Sequence, residues 1–194
     1  PFDVASTPSV KSRIARAVAT TEVGLIAWSD ERSDSGDILV QALNLDGGLG
    51  APGLILLSGC PGVPNSTGVG AELGAFGSPV AADNNVTLLA TRLPPMAFGF
   101  FFTSVAAATI PSPGGSQGTL CLGGSIGRYV GPGQILSSGA AGVFSLALDL
   151  TRTPTPTGLV SVSAGETRFF QGWYRDANPG VTSNFTASLE VDFL

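Results

Sequence analysis

Three aspartates near the start of the chain, Asp30, Asp34 and Asp37, have the residue type and clustering of a metal site with oxygen ligands. Calcium is bound by carboxylate oxygens from a single loop, and Gly36 would let this loop bend tightly. An EF-hand loop, however, spaces its aspartates two residues apart and ends in a bidentate glutamate, and neither feature is present. We therefore expect a solvated hairpin turn in which Asp37 caps the next strand. The sequence predicts neither a metal ion nor a cofactor.

A second group of residues has the composition of a carbohydrate-binding site. Trp173, Tyr174, Arg175 and Asp176 are consecutive, and a turn-forming Asn-Pro-Gly segment follows them. Binding sites for small polar ligands combine aromatic surface with a few polar groups that fix the ligand's orientation. The alternative is the end of a strand, in which Trp173 belongs to the core while Arg175 and Asp176 support the next turn.

The sequence contains little material for catalysis. It has no histidine, which excludes Ser–His and Cys–His mechanisms and removes the commonest general base. The glycines at 123–127 resemble a phosphate-binding loop, but no helix is expected after them. The carboxylates that could form a glycosidase pair occur without a catalytic motif; they are Glu72, Asp149, Glu166 and Glu190. We predict that the protein is not an enzyme.

Composition restricts the partners that the protein can have. Only 12% of the residues are charged, the net charge is −5, and the chain has no basic stripe. Nucleic acid is therefore not an expected partner, because its binding requires clustered cations that neutralise phosphates. No apolar run reaches the length of about 18 residues that insertion into a membrane requires. A surface with so little charge tends to associate with other surfaces, which suits a domain that is partly covered by neighbouring molecules.

The two cysteines, Cys60 and Cys121, are too few for a structural zinc site. A disulfide between them would close a loop of about 60 residues and contribute about 4 kcal/mol through loop-closure entropy. The alternative is a pair of buried free thiols. Since a disulfide requires an oxidising compartment, we expect a secreted protein, extracellular or at the cell surface. The chain begins at Pro1 without a methionine, which is expected of a processed product or a fragment.

Short apolar segments separated by turns rich in glycine and proline predict an all-β fold. We predict a β-sandwich or jelly-roll-like domain over residues 54–194 and an N-terminal β-hairpin extension within residues 1–53. The hairpin has an apolar strand at residues 23–28 and an alternating strand at residues 37–45. The polar residues 1–21 that precede it form either a helical turn or an extended arm.

The N-terminal hairpin resembles one repeat of a family of secreted bacterial β-propellers, and the matching residues are 27–32, 36–41 and 43–47. A single repeat cannot close a propeller, and an isolated two-stranded ribbon is unstable in water. The resemblance therefore implies that the hairpin packs against the rest of the chain or against another molecule. We expect contacts with a second chain at Leu25, Trp28, Ile38 and Val40.

The remainder of the chain resembles a C-terminal β-domain of large secreted proteins from planctomycetes and myxobacteria-like bacteria. The matching segments are Cys60, 65–68, 89–100, 115–129, 144–150, 165–167 and 171–187. Arg92 and Arg168 depart from this pattern, in which glycine and tryptophan are usual. The resemblance implies an extracellular location and an all-β architecture, and it implies no activity.

Two functions follow from these observations. The first is an extracellular structural module that associates with copies of itself, as a subunit of a surface fibre, filament or coat assembled by strand addition. The second is a carbohydrate-binding or adhesion module of a larger secreted protein, with Trp173 and Tyr174 as its first glycan contacts.

Overall fold

A computed structural model describes residues 59–194 in full and, before them, the backbone of residues 11–18, 23–30, 37–44, 49–52 and 57–58. The chain divides into two compact units, Pro1–Ile55 (unit 1) and Leu56–Leu194 (unit 2). In the described residues, helix is limited to short 3₁₀ turns, none of which could cross a membrane. The predicted all-β class is confirmed. The domain boundary expected after residue 53 lies outside the described residues and stays a prediction.

Unit 1 contains one antiparallel sheet with the strand order β1–β2–β3–β4. Its strands are β1 (Lys11–Val18), β2 (Val23–Asp30), β3 (Asp37–Asn44) and β4 (Leu49–Pro52). The predicted hairpin is the pair β2–β3, whose register runs from Val23 opposite Asn44 to Asp30 opposite Asp37. The sequence predicts either a helical turn or an extended arm for residues 1–21. Residues 11–18 are extended and pair with β2.

Unit 2 is a β-sandwich with an additional outer hairpin. The main sheet has the order β11–β8–β16–β17–β5, and β12 also pairs with β8; the small sheet has the order β13–β7–β6. The outer hairpin is β9–β10, and β14 pairs with β15. The strands are β5 (Leu57–Ser58), β6 (Glu72–Gly77), β7 (Val86–Thr91), β8 (Phe98–Ser104), β9 (Ala106–Pro111), β10 (Thr119–Gly123), β11 (Gly127–Arg128), β12 (Leu136–Ser137), β13 (Phe144–Leu148), β14 (Thr153–Thr155), β15 (Gly158–Val160), β16 (Thr167–Ala177) and β17 (Val181–Asp192).

The core lies between the inner face of the main sheet and the small sheet. Alternate residues of β7 are buried, as the two-residue period of a strand with one covered face requires. The rings of Phe101 and Phe144 meet edge to face across this space, with their centroids 5.1 Å apart. Gly99 makes the contact possible, because a Cβ atom at this position would lie 2.8 Å from the Phe144 ring. The main sheet and the small sheet thus enclose one apolar core.

The outer hairpin covers part of the opposite, outer face of the main sheet. Leu122 of β10 packs there against Phe102 and Phe185. The fully buried Gln171 donates hydrogen bonds to the carbonyls of Thr119 and Thr186 and accepts one from the Cys121 N–H. One side chain therefore links the outer hairpin to two strands of the main sheet.

A disulfide joins Cys60 and Cys121, whose Cα atoms are 6.3 Å apart, and this prediction is confirmed. It connects β10 to the segment that runs beside β17, where the Cys60 carbonyl accepts a hydrogen bond from the Ser188 N–H. The disulfide therefore fastens the outer hairpin to the edge of the main sheet.

Candidate functional site

The four residues predicted to contact glycans, Trp173 to Asp176, lie on β16 and are divided between the two faces of the main sheet. Side chains alternate along a strand, so Trp173 and Arg175 lie on the outer face while Tyr174 and Asp176 lie on the inner face. Tyr174 is fully buried and Asp176 is 6% exposed, so neither can contact a ligand at the surface. The structure thus leaves Trp173 and Arg175 as surface candidates.

The two buried members of this group have structural partners. The Tyr174 hydroxyl lies 3.3 Å from the Asn65 Nδ2, and burial raises the pKa of this phenol above its ordinary value. One carboxylate oxygen of Asp176 accepts hydrogen bonds from the Ser66 and Ala177 N–H groups. Tyr174 and Asp176 thus hold the segment at residues 65–66 against the end of β16.

Trp173 and Arg175 belong to a continuous row of side chains on the outer face. Arg175 lies over the Trp173 ring at 5.6 Å, and Trp173 lies 5.1 Å from Phe100. Phe100 is 5.0 Å from Phe102, and the Arg128 guanidinium lies over the Phe102 ring at 5.6 Å. These five residues, which we call the aromatic row, come from β16, β8 and β11.

Strand register explains why these residues meet. Phe100 lies opposite Trp173, and Phe102 lies opposite Arg128. Residues opposite each other in antiparallel strands point to the same face with their Cβ atoms about 5 Å apart. The row therefore crosses three strands in a direction that the linear sequence does not reveal.

The aromatic row is open to solvent at the end where β8 begins. Phe102 is buried under the outer hairpin, Phe100 and Trp173 are half-buried, and Phe98, two residues before Phe100, is 59% exposed. Arg128 and Arg175 are both exposed. The outer hairpin thus covers the middle of the face and leaves an edge of aromatic rings with an arginine at each end of the row.

Three of the five arginines in residues 59–194 lie at the aromatic row or in a pocket at its Arg128 end, although the whole chain carries a net charge of −5. Arg92 forms an ion pair with Glu72 at 2.9 Å, and Arg168 forms one with Glu166 at 2.8 Å. The other arginines of residues 59–194 form no ion pair with a described residue; they are Arg128, Arg152 and Arg175. Two of them end the aromatic row, and Arg152 lies in a pocket that Arg128 also lines.

That pocket has a volume of about 390 Å³. The residues lining it are Arg128, Tyr129, Gly131, Pro132, Gln134, Asp149, Arg152, Pro154 and Leu159. Burial raises the pKa of Tyr129 to about 12, although the Thr153 hydroxyl and the charge of Arg168 act in the opposite direction. The pKa of Asp149 is lowered, chiefly because its carboxylate accepts a hydrogen bond from the Thr151 hydroxyl. The pocket therefore contains two guanidinium groups and one carboxylate that stays ionised.

The other residues predicted from the sequence lie in ion pairs, in turns or outside the described region. Glu72 and Glu166 are paired with arginines, Asp149 begins a 3₁₀ turn, and Glu190 lies on β17. No group of three or more acidic or cysteine side chains within the described residues is placed to hold a metal ion. Outside the residues with described side chains lie the metal candidates Asp30, Asp34 and Asp37 and the interchain candidates Leu25, Trp28, Ile38 and Val40.

Comparison of the chain with models of protein families, with curated proteins and with solved structures finds no match. The resemblances to a propeller repeat and to a secreted β-domain therefore stay predictions.

Proposed function

We propose that the protein is an extracellular carbohydrate-binding or adhesion module and that the aromatic row is its binding surface. The observation that carries this proposal is the continuity of the row, from Arg128 through the rings of Phe102, Phe100 and Trp173 to Arg175. The disulfide supports the extracellular location, because such bonds persist in oxidising compartments.

Sugars suit this surface for two physical reasons. The C–H groups on one side of a sugar ring form an apolar patch, and half-buried rings such as Phe100 and Trp173 offer a matching apolar surface. The hydroxyl groups at the edge of the sugar need hydrogen-bond donors, which Arg128 and Arg175 supply. The part of this surface that solvent reaches is formed by Phe98, Phe100 and Trp173, because Phe102 is buried under the outer hairpin. Isolated exposed apolar residues need no explanation, but neighbouring aromatic residues at one surface favour an interaction site.

A glycan array probed with the wild type and with Phe98→Ser tests the proposal. Phe98 is the most exposed ring beside the row, so its loss should weaken binding without unfolding the protein. The matched control is Phe76→Ser, because Phe76 is 50% exposed and lies on β6 of the small sheet. We expect the wild type and the control to bind the same glycans and Phe98→Ser to lose them. Equal binding by all three proteins, or binding by none, would contradict the proposal.

A second candidate function, a self-associating structural module, is favoured by the strand pairing in unit 1. In the β2–β3 register, Leu25 lies opposite Ala42, Val40 opposite Ala27 and Ile38 opposite Ser29, which assigns all three predicted contacts to one face. Trp28 lies opposite Leu39 and is assigned to the other face. Both faces of the sheet thus contain large apolar residues, as expected for a sheet that other layers cover on both sides. A four-stranded sheet of this kind is also the unit of a propeller blade.

Light scattering over a range of protein concentrations tests this second candidate. Assemblies of the full chain should form as the concentration rises, and Val40→Glu should dissociate them, because a charge at this position opposes burial. Gln41→Glu is the control, since it adds a charge at a position that is already polar. A monodisperse monomer at every concentration would exclude self-association.

A further inference from the structure

We propose that the pocket beside the aromatic row binds a negatively charged substituent, a carboxylate or a sulfate ester, so that the ligands of the protein are acidic polysaccharides. This inference rests on the proposed glycan binding and specifies its chemical class. It follows from the position of Arg128, which both ends the aromatic row and lines the pocket. A chain bound at the open part of the row, beside Phe100 and Trp173, would therefore have to extend past the buried Phe102 to bring a substituent to the pocket.

The charges of the pocket favour an anion. Arg128 and Arg152 face it, and neither forms an ion pair with a described residue. The opposing carboxylate, Asp149, is held in place because it accepts hydrogen bonds from the Thr151 N–H, the Thr151 hydroxyl and the Asn84 amide. The lining as a whole therefore has a single positive charge in excess.

The donors of the pocket are partly fixed before any ligand arrives. Stacking on Phe102 restricts the Arg128 guanidinium, which is planar and matches two oxygens of a carboxylate or sulfate. The Gln134 side-chain oxygen accepts a hydrogen bond from the Gly131 N–H at 2.9 Å, which leaves the amide NH₂ of Gln134 as a donor. Preorganised donors lose less conformational entropy when they bind a ligand.

The apolar part of the lining strengthens these interactions. Pro132, Pro154 and Leu159 form walls with no charge. Charge–charge interactions gain strength as the surroundings become less polarisable than water. The pocket therefore places two exposed guanidinium groups, those of Arg128 and Arg152, beside uncharged walls, whereas Arg175 at the other end of the row has no second arginine beside it.

A first experiment tests the anion site with sodium sulfate as the probe, independently of any glycan. NMR signals of the arginine side chains are followed during titration at constant ionic strength. We expect saturable shifts at Arg128 and Arg152, loss of these shifts in Arg152→Gln, and no saturable shift at Arg92, which is paired with Glu72. Uniform small changes at all arginines, or unchanged binding in Arg152→Gln, would overturn the anion site.

A second experiment tests the ligand class with oligogalacturonate and its neutral methyl ester, and with a sulfated galactan oligosaccharide and its desulfated form. We expect the wild type to bind at least one acidic form at least tenfold more tightly than its neutral counterpart. Arg152→Gln should remove this difference while keeping the affinity for the neutral form, and the control Arg92→Gln should behave as the wild type. A preference for oligogalacturonate over its methyl ester would identify the substituent as a carboxylate, and a preference for the sulfated galactan over its desulfated form would identify it as a sulfate ester.

The possible results separate the two proposals. Equal affinity for acidic and neutral chains would overturn the acidic-ligand inference and leave glycan binding intact. Binding of sulfate ion at the pocket without binding of any oligosaccharide would overturn the proposed function, and with it the polysaccharide ligand.

Discussion

The two faces of the main sheet differ in how they are covered. The small sheet packs against the inner face, where Phe101, Phe170 and Tyr174 are fully buried. The outer hairpin covers only part of the outer face and leaves Phe98 mostly exposed. Neighbouring residues of one strand therefore have different roles, since Tyr174 belongs to the core whereas Trp173 borders solvent. Aromatic residues of the inner face are thus fully buried, whereas those of the outer face range from buried (Phe102 and Phe185, under the outer hairpin) to mostly exposed (Phe98).

The largest expected loss in the free energy of unfolding comes from truncating an aromatic residue on the inner face. Phe101→Ala should lower the free energy of unfolding by about 3–5 kcal/mol, because it removes a buried ring and leaves a cavity. Denaturation with urea measures this change, and Phe98→Ala on the outer face is the comparison. A similar loss in both variants would show that the two faces do not differ as described.

Removal of the disulfide should have the next largest effect and should act on the outer hairpin. Cys60→Ser combined with Cys121→Ser is expected to lower the free energy of unfolding by about 2–4 kcal/mol, because the unfolded chain regains the freedom of a long loop. Thermal denaturation of both proteins measures the loss. Peptide mapping that finds both cysteines alkylated without prior reduction would contradict the bond itself.

A smaller effect is expected at Gln171, the buried polar link between the outer hairpin and the main sheet. Gln171→Leu should cost about 1–3 kcal/mol, because it leaves the Cys121 N–H and the Thr119 carbonyl without their partner. Gln117→Leu, two residues before β10, is the comparison. Gln117 is exposed and donates one hydrogen bond, to the Asn178 carbonyl, so the variant should lose less stability than Gln171→Leu does, a loss of less than about 1 kcal/mol. Equal stability of the two variants would show that Gln171 does not hold the hairpin.

The smallest stability effect concerns Tyr129 and depends on pH. Its pKa rises from the ordinary value of 10 to about 12 in the folded protein. The folded state is therefore stabilised by the neutral phenol fully below pH 10, and this stabilisation is lost as the pH rises towards 12. At pH 11 the wild type should lose about 1.4 kcal/mol more than Tyr129→Phe, relative to pH 8. Urea denaturation of both proteins at the two pH values checks this. Parallel losses would assign the effect to other groups, such as Tyr174.

Alternation of residue type predicted part of this fold well. In β7 and β13 the apolar residues recur every second position, and the structure buries Val86, Leu88, Phe144 and Leu148 accordingly. Alternation fails where both faces are apolar. Residues 98–107 are apolar apart from Thr103 and Ser104, a pattern that favours one continuous strand, but the chain is divided at Val105 into β8 and β9, which belong to different sheets.

The sequence indicates the composition of the candidate site but not which residues reach the surface. Residue type groups Trp173 to Asp176 together, and the structure divides them, with Tyr174 and Asp176 buried and Trp173 and Arg175 on the outer face. Phe98 and Phe100 were missed because the run Phe-Gly-Phe-Phe-Phe gives no indication of which face is exposed. Arg128 and Arg152 join the site through the pairing of β11 with β8 and through the pocket, and neither can be derived from spacing along the chain.

One NMR measurement tests directly whether the outer face contacts a glycan through Trp173. The chain has two tryptophans, so Trp28→Phe leaves Trp173 as the source of the single indole N–H signal. We predict that this signal shifts saturably when an oligosaccharide identified by the array is added, and that Phe98→Ser in the same background weakens the titration at least tenfold. An indole signal that stays unchanged while calorimetry shows the oligosaccharide to be bound would contradict the account.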